Sequence, residues 1–307
     1  MNLVINKIKF KELERVIKGL VYYDEPMSNH TSFKVGGPAE ILIMPTVNED
    51  IYNILKFSKE NDIPINVIGA GTNLLVSDKG IKGIVIKINS SLENIFFSDE
   101  KVKVSAGVKV SKLLRECMNK SLSGLEFLTG IPGTVGGATC MNAGISNQSI
   151  SMFFLKGLVI DMDNLDIKEL SHKDFFFDYR WSIIQKGRKI ILDAVFNLKK
   201  DEFCEISERV KILQDKRLKT QPLNLPNSGC IWKNPPETFA GKLIEEAGLK
   251  GYSIGGASIS DLHANFIVNS NNAKAQDIYD LIRYVEETVY NKFNICLERE
   301  IKLFGLW

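Results

Sequence analysis

The sequence predicts an α+β protein of two domains, and three features carry that prediction. Segments with strand-like alternation and segments with helical spacing follow one another along the chain. Two glycine-rich loops, GAGTN (Gly69–Asn73) and GIPGTVGGA (Gly130–Ala138), interrupt that alternation. The 307 residues are 44% apolar and 25% charged, so the chain is long enough for two hydrophobic cores and has the composition to fill them.

The elements are expected in the following order. MNLVINKIKFKELERVIKGL is amphipathic with charges throughout, which argues against a signal peptide. TSFKVGGPAEILIMP reads as strand, Gly-Gly turn, strand. NEDIYNILKFSKENDIP has Ile51, Ile54 and Leu55 at helical spacing, with Pro64 beyond its end. INVIGAGTNLLVSDKGIKGIVIKI alternates strands with glycine turns. KVKVSAGVKV is a further strand, and Val110, Leu113, Leu114, Cys117 and Met118 mark the face of the helix after it. Beyond the second glycine loop, LKGLVIDMDNLDIKELS reads as a hairpin and RKIILDAVFNLKKD as a strand.

EISERVKILQDKRLKTQP is a charged helix with Ile206, Val210 and Leu213 on its buried stripe, and the domain change is placed near Asp201. A turn framed by Pro226 and Pro235, NSGCIWKNPP, follows. Next come a short helix, AGKLIEEAG, and a long one through AKAQDIYDLIRYVEETVYNKF, with Ile278, Leu281, Ile282, Val285 and Val289 as its apolar stripe. A strand over NICLEREIKLF closes the sequence.

Charge and cysteine usage narrow the function. The formal charge is only +2 and no basic tract occurs, so nucleic acid and anionic membranes are not expected partners. No apolar run approaches the roughly 20 residues that span a bilayer. The five cysteines show no CxxC spacing and the three histidines no metal-ligand spacing, so neither a disulfide framework nor a metal is expected. A reducing cytoplasm is the expected location.

Both glycine loops suit an anion, because glycines let the backbone approach closely and aim successive N–H groups at phosphate oxygens. Neither fits the dinucleotide fingerprint: Gly69 and Gly71 lead into NLLV, which reads as strand, not helix. Neither contains the Gly-Lys-Ser/Thr of a phosphate-binding P-loop. Structural turns are the bland reading of each loop alone; two such loops, each with a threonine, favour a ligand.

In order along the chain, NHTSFKVGGPAE, VIGAGTNLLVSD, GLEFLTGIPGTVGGATCMNAG, FDYRWS, NSGCIWKNP, AGKLIEEAGLKG, HANFIVN and LEREIKLFG resemble the UDP-N-acetylenolpyruvoylglucosamine reductase family over nearly its whole length. One such match would be weak; the ordered set is specific. The carboxy-terminal half lacks the extra tyrosine-bearing loop of some members and so resembles the shorter subclass. The resemblance implies a p-cresol methylhydroxylase-type FAD-binding domain of two α+β subdomains over 1–200. A smaller α+β substrate-binding domain over 201–307 would follow, its last strand returning to the active site.

The resemblance further implies non-covalent FAD, held by Gly69, Ala70, Gly71, Thr72 and Asn73 and by Gly130, Ile131, Pro132, Gly133, Thr134, Gly136 and Gly137. It implies NADPH as reductant and UDP-N-acetylglucosamine enolpyruvate as substrate, with a place in peptidoglycan synthesis. NADPH would visit the substrate cleft, in keeping with the missing fingerprint. A cytoplasmic monomer is expected.

The reaction dictates what the site must hold. Hydride reaching the terminal carbon of an enol ether leaves negative charge on the carbon beside the carboxylate and on its oxygens. A fixed cation and a donor stabilise that charge, and a positioned acid then protonates the carbon. The resemblance makes Arg180, in YRWS, the cation. The bland alternative is an ion pair with Asp178, but a planar fork suits a carboxylate, and FFFDYRW would supply a partly dry setting.

In the expected last strand Glu298 and Glu300 share one face, so parity cannot separate them; the resemblance selects Glu300. Cys230 stands where most members carry a serine proton donor. A thiol, with a usual pKa of about 8.5, preserves proton donation but loses it on ionising at higher pH. Buried filler is the fair reading of the other cysteines. The resemblance makes Asn234 a substrate contact; Lys233 is read either as a contact for a diphosphate or the nicotinamide phosphate or as a solvated surface lysine, and Lys219, Gln221 and Asn265 are weaker substrate candidates.

Three rivals remain at this point. One is another FAD oxidoreductase of the same fold acting on a hydroxy acid or alcohol. Another is a cysteine-dependent transferase with Cys230 as nucleophile and His263 as base. The third is a nucleotide-sugar-binding protein without catalysis.

Overall fold

A computed structural model describes residues 10–89, 92–145 and 147–307, so the first nine residues of the amphipathic amino-terminal stretch lie outside it. Strand β1 (Leu20–Pro26) precedes β2 (Pro38–Met44). Between them Thr31–Val35, read from the sequence as a strand, is a turn. Lys34 has φ +59°, its N–H donates to Thr31 O at 3.2 Å, and Thr31 Oγ1 donates to Val35 O at 2.8 Å. Phe33 and Val35 are nevertheless buried. The alternation reported burial, not extension.

Helix α1 (Asn48–Asn61) buries Ile51, Ile54 and Leu55, as their spacing requires. The buried carboxylate of Asp50 accepts from the N–H groups of Lys18, Thr46 and Val47 and so fixes the entry to this helix. Strands β3 (Ile65–Ile68), β4 (Leu74–Val76) and β5 (Ile81–Lys87) follow, β3 and β5 being parallel. Next come β6 (Ile95–Ser98), β7 (Lys101–Ser105), α2 (Val110–Asn119) and the short α3 (Val135–Cys140). The expected hairpin is β8 (Phe154–Asp161) with β9 (Ile167–Ser171), and β10 (Lys189–Asn197) lies on its other side. Together with β7 and β6 they form an antiparallel sheet of order β9-β8-β10-β7-β6.

Helix α4 (Phe203–Thr220) leads into β11 (Asn227–Cys230) and α5 (Ala240–Glu246). Strands β12 (Ser253–Ile254), β13 (Ala257–Ile259) and β14 (Phe266–Asn269) complete an antiparallel sheet of order β11-β14-β13-β12. The long helix α6 (Ala275–Phe293) buries the whole predicted stripe. The last strand is shorter than predicted: only β15 (Lys302–Phe304) is extended, parallel to β4. Asn294 leaves α6 with φ +55°, and Arg299 makes an isolated bridge to Trp232, so the stretch before β15 is irregular.

Two compact units result. Unit 1 holds the described residues up to Tyr23, Ile41–Ala70 and Gly83–Gln214; unit 2 holds Asp24–Glu40, Gly71–Lys82 and Asp215–Trp307. The single change expected near Asp201 is thus replaced by a division at Gln214, inside α4, and two early segments join the carboxy-terminal part. The reason is packing. Phe33, Val35 and Leu75 share a core with Trp232, Ile278 and Val285, whereas Ile43, Ile54, Val104, Phe154 and Phe196 belong to the core of unit 1. No helix of the described residues is long and apolar enough to cross a membrane.

Candidate active site

In unit 1, β3 delivers Gly69 while Gly130–Thr134 leads into α3. A Cβ on Gly69 would stand 2.5 Å from Thr134 Oγ1, so the two glycine loops meet here and residue 69 has no room for a side chain. Thr134 Oγ1 also accepts from Gly137 N–H at 3.3 Å. Gly133 has φ +138°, a conformation that suits glycine. Not every amide of the second loop is offered to an anion, contrary to the expectation of a run of outward N–H groups. Those of Ile131, Val135 and Gly136 donate to Leu128, Val108 and Ala106 carbonyls at 2.8–2.9 Å.

Thr129 and Thr139, on either side of this loop, bury hydroxyls with no hydrogen-bond partner among the described residues. Buried hydroxyls are costly unless something bonds them. They fit a polar cofactor such as FAD.

The rest of the first loop belongs to unit 2. Gly71 has φ +72°, and a Cβ there would collide with the carbonyl oxygen of His30. Asn73 Nδ2 donates to Glu300 O at 3.1 Å, and Asn73 O accepts from Lys302 N–H at 3.1 Å. Asn73, expected at a cofactor, therefore anchors the backbone around Glu300. Thr72 and Ala70 flank it in the loop.

Arg180 lies in unit 1 with φ +55°, uncommon for a residue with a side chain. Asp178 and Trp181 exchange backbone hydrogen bonds of 3.1 Å across it. Gln185 Nε2 donates to Arg180 O at 2.9 Å and to Cys140 O at 3.1 Å, and Asn142 Nδ2 donates to Asp178 O at 2.9 Å. A strained turn held on several sides is typical of a functional position. The guanidinium carbon lies 5.3 Å from the Tyr179 ring centre. Phe175 is buried but Phe176 and Tyr179 are exposed, so the aromatic run supplies less of a dry setting than expected.

Cys230 and Glu300 both lie in unit 2. Cys230 ends β11, which was read as a rigid turn but is a bulged strand. Asn227 pairs with Val268 and Cys230 with Phe266, and Gly229 between them has φ +80°. Beyond the bulge, Ile231 O accepts from Glu300 N–H at 2.8 Å and Lys233 N–H donates to Glu298 O at 2.8 Å. The segments carrying Cys230 and Glu300 thus run side by side. The two glutamates that parity left equivalent now differ. The Glu298 side chain is 72% exposed and pairs with Lys233 Nζ at 2.6 Å, whereas Glu300 is half-buried.

The remaining candidates have mixed settings. Asn265 is a correction: it is 2% exposed, its Oδ1 accepts from Trp232 N–H at 3.0 Å and its Nδ2 donates to Trp232 O at 2.8 Å. Both ends of the amide are used inside the protein, so it is a clamp on the Cys230 segment and not a substrate contact. Asn234 Oδ1 accepts from Ala240 N–H at 3.1 Å, the entry to α5. Lys219 is exposed on α4. His263 Nδ1 accepts from Asn265 N–H at 3.3 Å, and burial lowers its pKa. His30 lies 2.9 Å from Glu25. Among the described residues no three His, Cys, Asp or Glu side chains could hold a metal.

Residues 221–304 match a family profile described as the UDP-N-acetylenolpyruvoylglucosamine reductase C-terminal domain. Residues 39–163, which contain both glycine loops, match one described as an FAD binding domain. The chain is 43% identical over 303 residues to the UDP-N-acetylenolpyruvoylglucosamine reductase of Alkaliphilus oremlandii, covering 98% of this chain and 99% of that one. Identity to the protein of the same name from Bacillus subtilis is 40% over 306 residues, or 99% of each. The crystal structure of UDP-N-acetylenolpyruvylglucosamine reductase from Thermus caldophilus matches with a TM-score of 0.80 at 33% identity, covering 94% of this chain and 100% of that one.

Proposed function

The chain belongs to the UDP-N-acetylenolpyruvoylglucosamine reductase family, and on that premise we propose a division of labour among Arg180, Glu300 and Cys230. The protein is an FAD-dependent reductase of the enolpyruvyl double bond of UDP-N-acetylglucosamine enolpyruvate. NADPH is its reductant, and the product, UDP-N-acetylmuramate, serves peptidoglycan synthesis.

Bound FAD, reduced by NADPH, supplies the hydride that goes to the terminal alkene carbon. Gly69 gives the close backbone approach that FAD needs, and the hydroxyls of Thr129 and Thr139 bond to it. Gly130, Gly133 and Thr134 supply the amides that the second loop has not spent inside the protein.

The Arg180 guanidinium forks onto the substrate carboxylate, and Glu300, in its protonated form, donates to the same oxygens. Both stabilise the negative charge that develops on the carbon beside that carboxylate. The Cys230 thiol then gives its proton to this carbon and is left as a thiolate, which solvent reprotonates before the next turnover. Lys233 remains a candidate for a diphosphate contact. The observation that carries this reading is the 2.8 Å hydrogen bond from Glu300 N–H to Ile231 O, which sets the two proposed donors on adjacent backbones.

The test separates the two half-reactions by stopped flow. Cys230→Ala should leave flavin reduction by NADPH unchanged and slow oxidation of the reduced enzyme by the enolpyruvyl nucleotide sugar about 10²–10⁴-fold. Cys230→Ser should retain turnover and remove the fall in rate that thiol ionisation causes as pH rises. An alanine variant with undiminished substrate reduction removes Cys230 from the mechanism.

A further inference from the structure

The segments that carry Cys230 and Glu300 are fastened to one carboxylate. Trp232, two residues after Cys230, donates its indole N–H to Glu286 Oε1 at 2.9 Å. Arg299, the residue before Glu300, donates Nε to the same oxygen and Nη2 to Oε2, each at 2.6 Å. Glu286 stands on α6 beside Val285, within the stripe that anchors this helix in the core of unit 2. The arginine also lies over the Tyr279 ring at 5.4 Å.

Backbone bonds join the same two segments from Ile231 to Glu300 and from Lys233 to Glu298, and Asn265 brackets Trp232 on its far side. Those bonds fix register. Ile231 and Trp232 pack in the same core as the α6 stripe, and the Glu286 fork adds a directional tie between that helix and both segments.

We propose that Glu286 is a positioning residue for the reductase reaction, gripping Trp232 and Arg299 and thereby setting the geometry of Cys230 and Glu300. The inference rests on the roles given to those two residues above. A half-buried ion pair adds little net stability over an apolar replacement, so stability alone does not account for this one. A bidentate arginine–carboxylate pair does fix distance and plane. Proton delivery and charge stabilisation are lost steeply with misplacement, by about 100-fold for 1 Å.

The experiment compares Glu286→Gln and Trp232→Phe with wild type in both half-reactions. Glu286→Gln keeps an acceptor for the indole but loses the charge that holds Arg299. It should slow oxidation of the reduced enzyme by the enolpyruvyl nucleotide sugar about 10–100-fold, with flavin reduction by NADPH within about twofold of wild type. Trp232→Phe, which deletes one donor, should slow the same step about 3–10-fold.

Both variants leaving that step within twofold would overturn the proposal. So would equal slowing of both half-reactions, the sign of a merely structural role. If Glu286→Gln yields no folded flavoprotein, Trp232→Phe decides alone. Cys230→Ala and Glu300→Gln run in parallel separate the two ideas. If they stall substrate reduction and Glu286→Gln does not, only the positioning role fails; if neither stalls it, the donor roles fail and this inference with them.

Discussion

Asn265 shows how a polar residue beside a reactive segment can be wholly structural. Replacing it with alanine strips partners from the N–H and C=O of buried Trp232, at a cost of about 2–6 kcal/mol for two orphaned groups. Urea denaturation of Asn265→Ala checks this, and unchanged stability counts against the clamp. Glu126 links stability to pH. Burial alone would raise its pKa, but hydrogen bonds from Gly124 N–H, Ser123 and Arg209 outweigh that and hold it below the ordinary value. A lowered carboxyl pKa contributes stability above the unfolded value of about 4.3, and that contribution is lost as pH falls through the folded value. Wild type should therefore exceed Glu126→Gln in stability at pH 7, with the gap closing below about pH 4 in chemical denaturation. At this scale the sequence disclosed which residue types the reaction needs. It could not distinguish Glu298 from Glu300, nor reveal that Trp232 and Arg299 share one acid, because no spacing rule links three remote positions.

Helices were the most legible elements. The stripes of α1 and α6 are long enough for the 3.6-residue period to be unambiguous, and both are buried as the spacing requires. In α2 Val110, Leu113 and Cys117 are buried but Leu114 and Met118 only half-buried, and on α4 Ile206 alone of its stripe is buried, with Val210 and Leu213 half-buried. Short extended segments were less so. Thr31–Val35 has the alternation of a strand but is bent by Lys34, and the stretch before β15 is held sideways by Trp232 and Ile231 instead of pairing along its length. Strand β1 carries too many charged and exposed residues to show a period of two. The glycine loops were legible as loops, and their mutual contact at Gly69 and Thr134 was not. Gly69→Ala should push them apart and weaken FAD binding at least about 10-fold, while far-ultraviolet circular dichroism stays that of wild type. Undiminished flavin affinity in that variant would show that the two loops do not need each other.

Across the whole molecule, bound cofactor adds to stability by mass action. At about 100 times its dissociation constant FAD adds about 2.7 kcal/mol, so stripping it should lower Tm by about 5 °C or more in differential scanning fluorimetry. An apoprotein that melts with the holoprotein would argue against a preformed FAD site. The interleaving of the two units is the feature least visible in one dimension, since periodicity reports which residues are buried and not with whom. It also has a consequence for synthesis. Asn73 meets Glu300 across 227 residues, and β4 has no parallel partner until β15 exists. At roughly 5–20 residues per second a ribosome needs about 10–45 s to bridge that gap. For much of that time Phe33, Val35 and Leu75 lack core neighbours such as Trp232, Ile278 and Val285. The nascent polypeptide therefore displays a greasy, half-built surface that invites chaperone capture, and the final dozen residues act as the latch that ends the exposure.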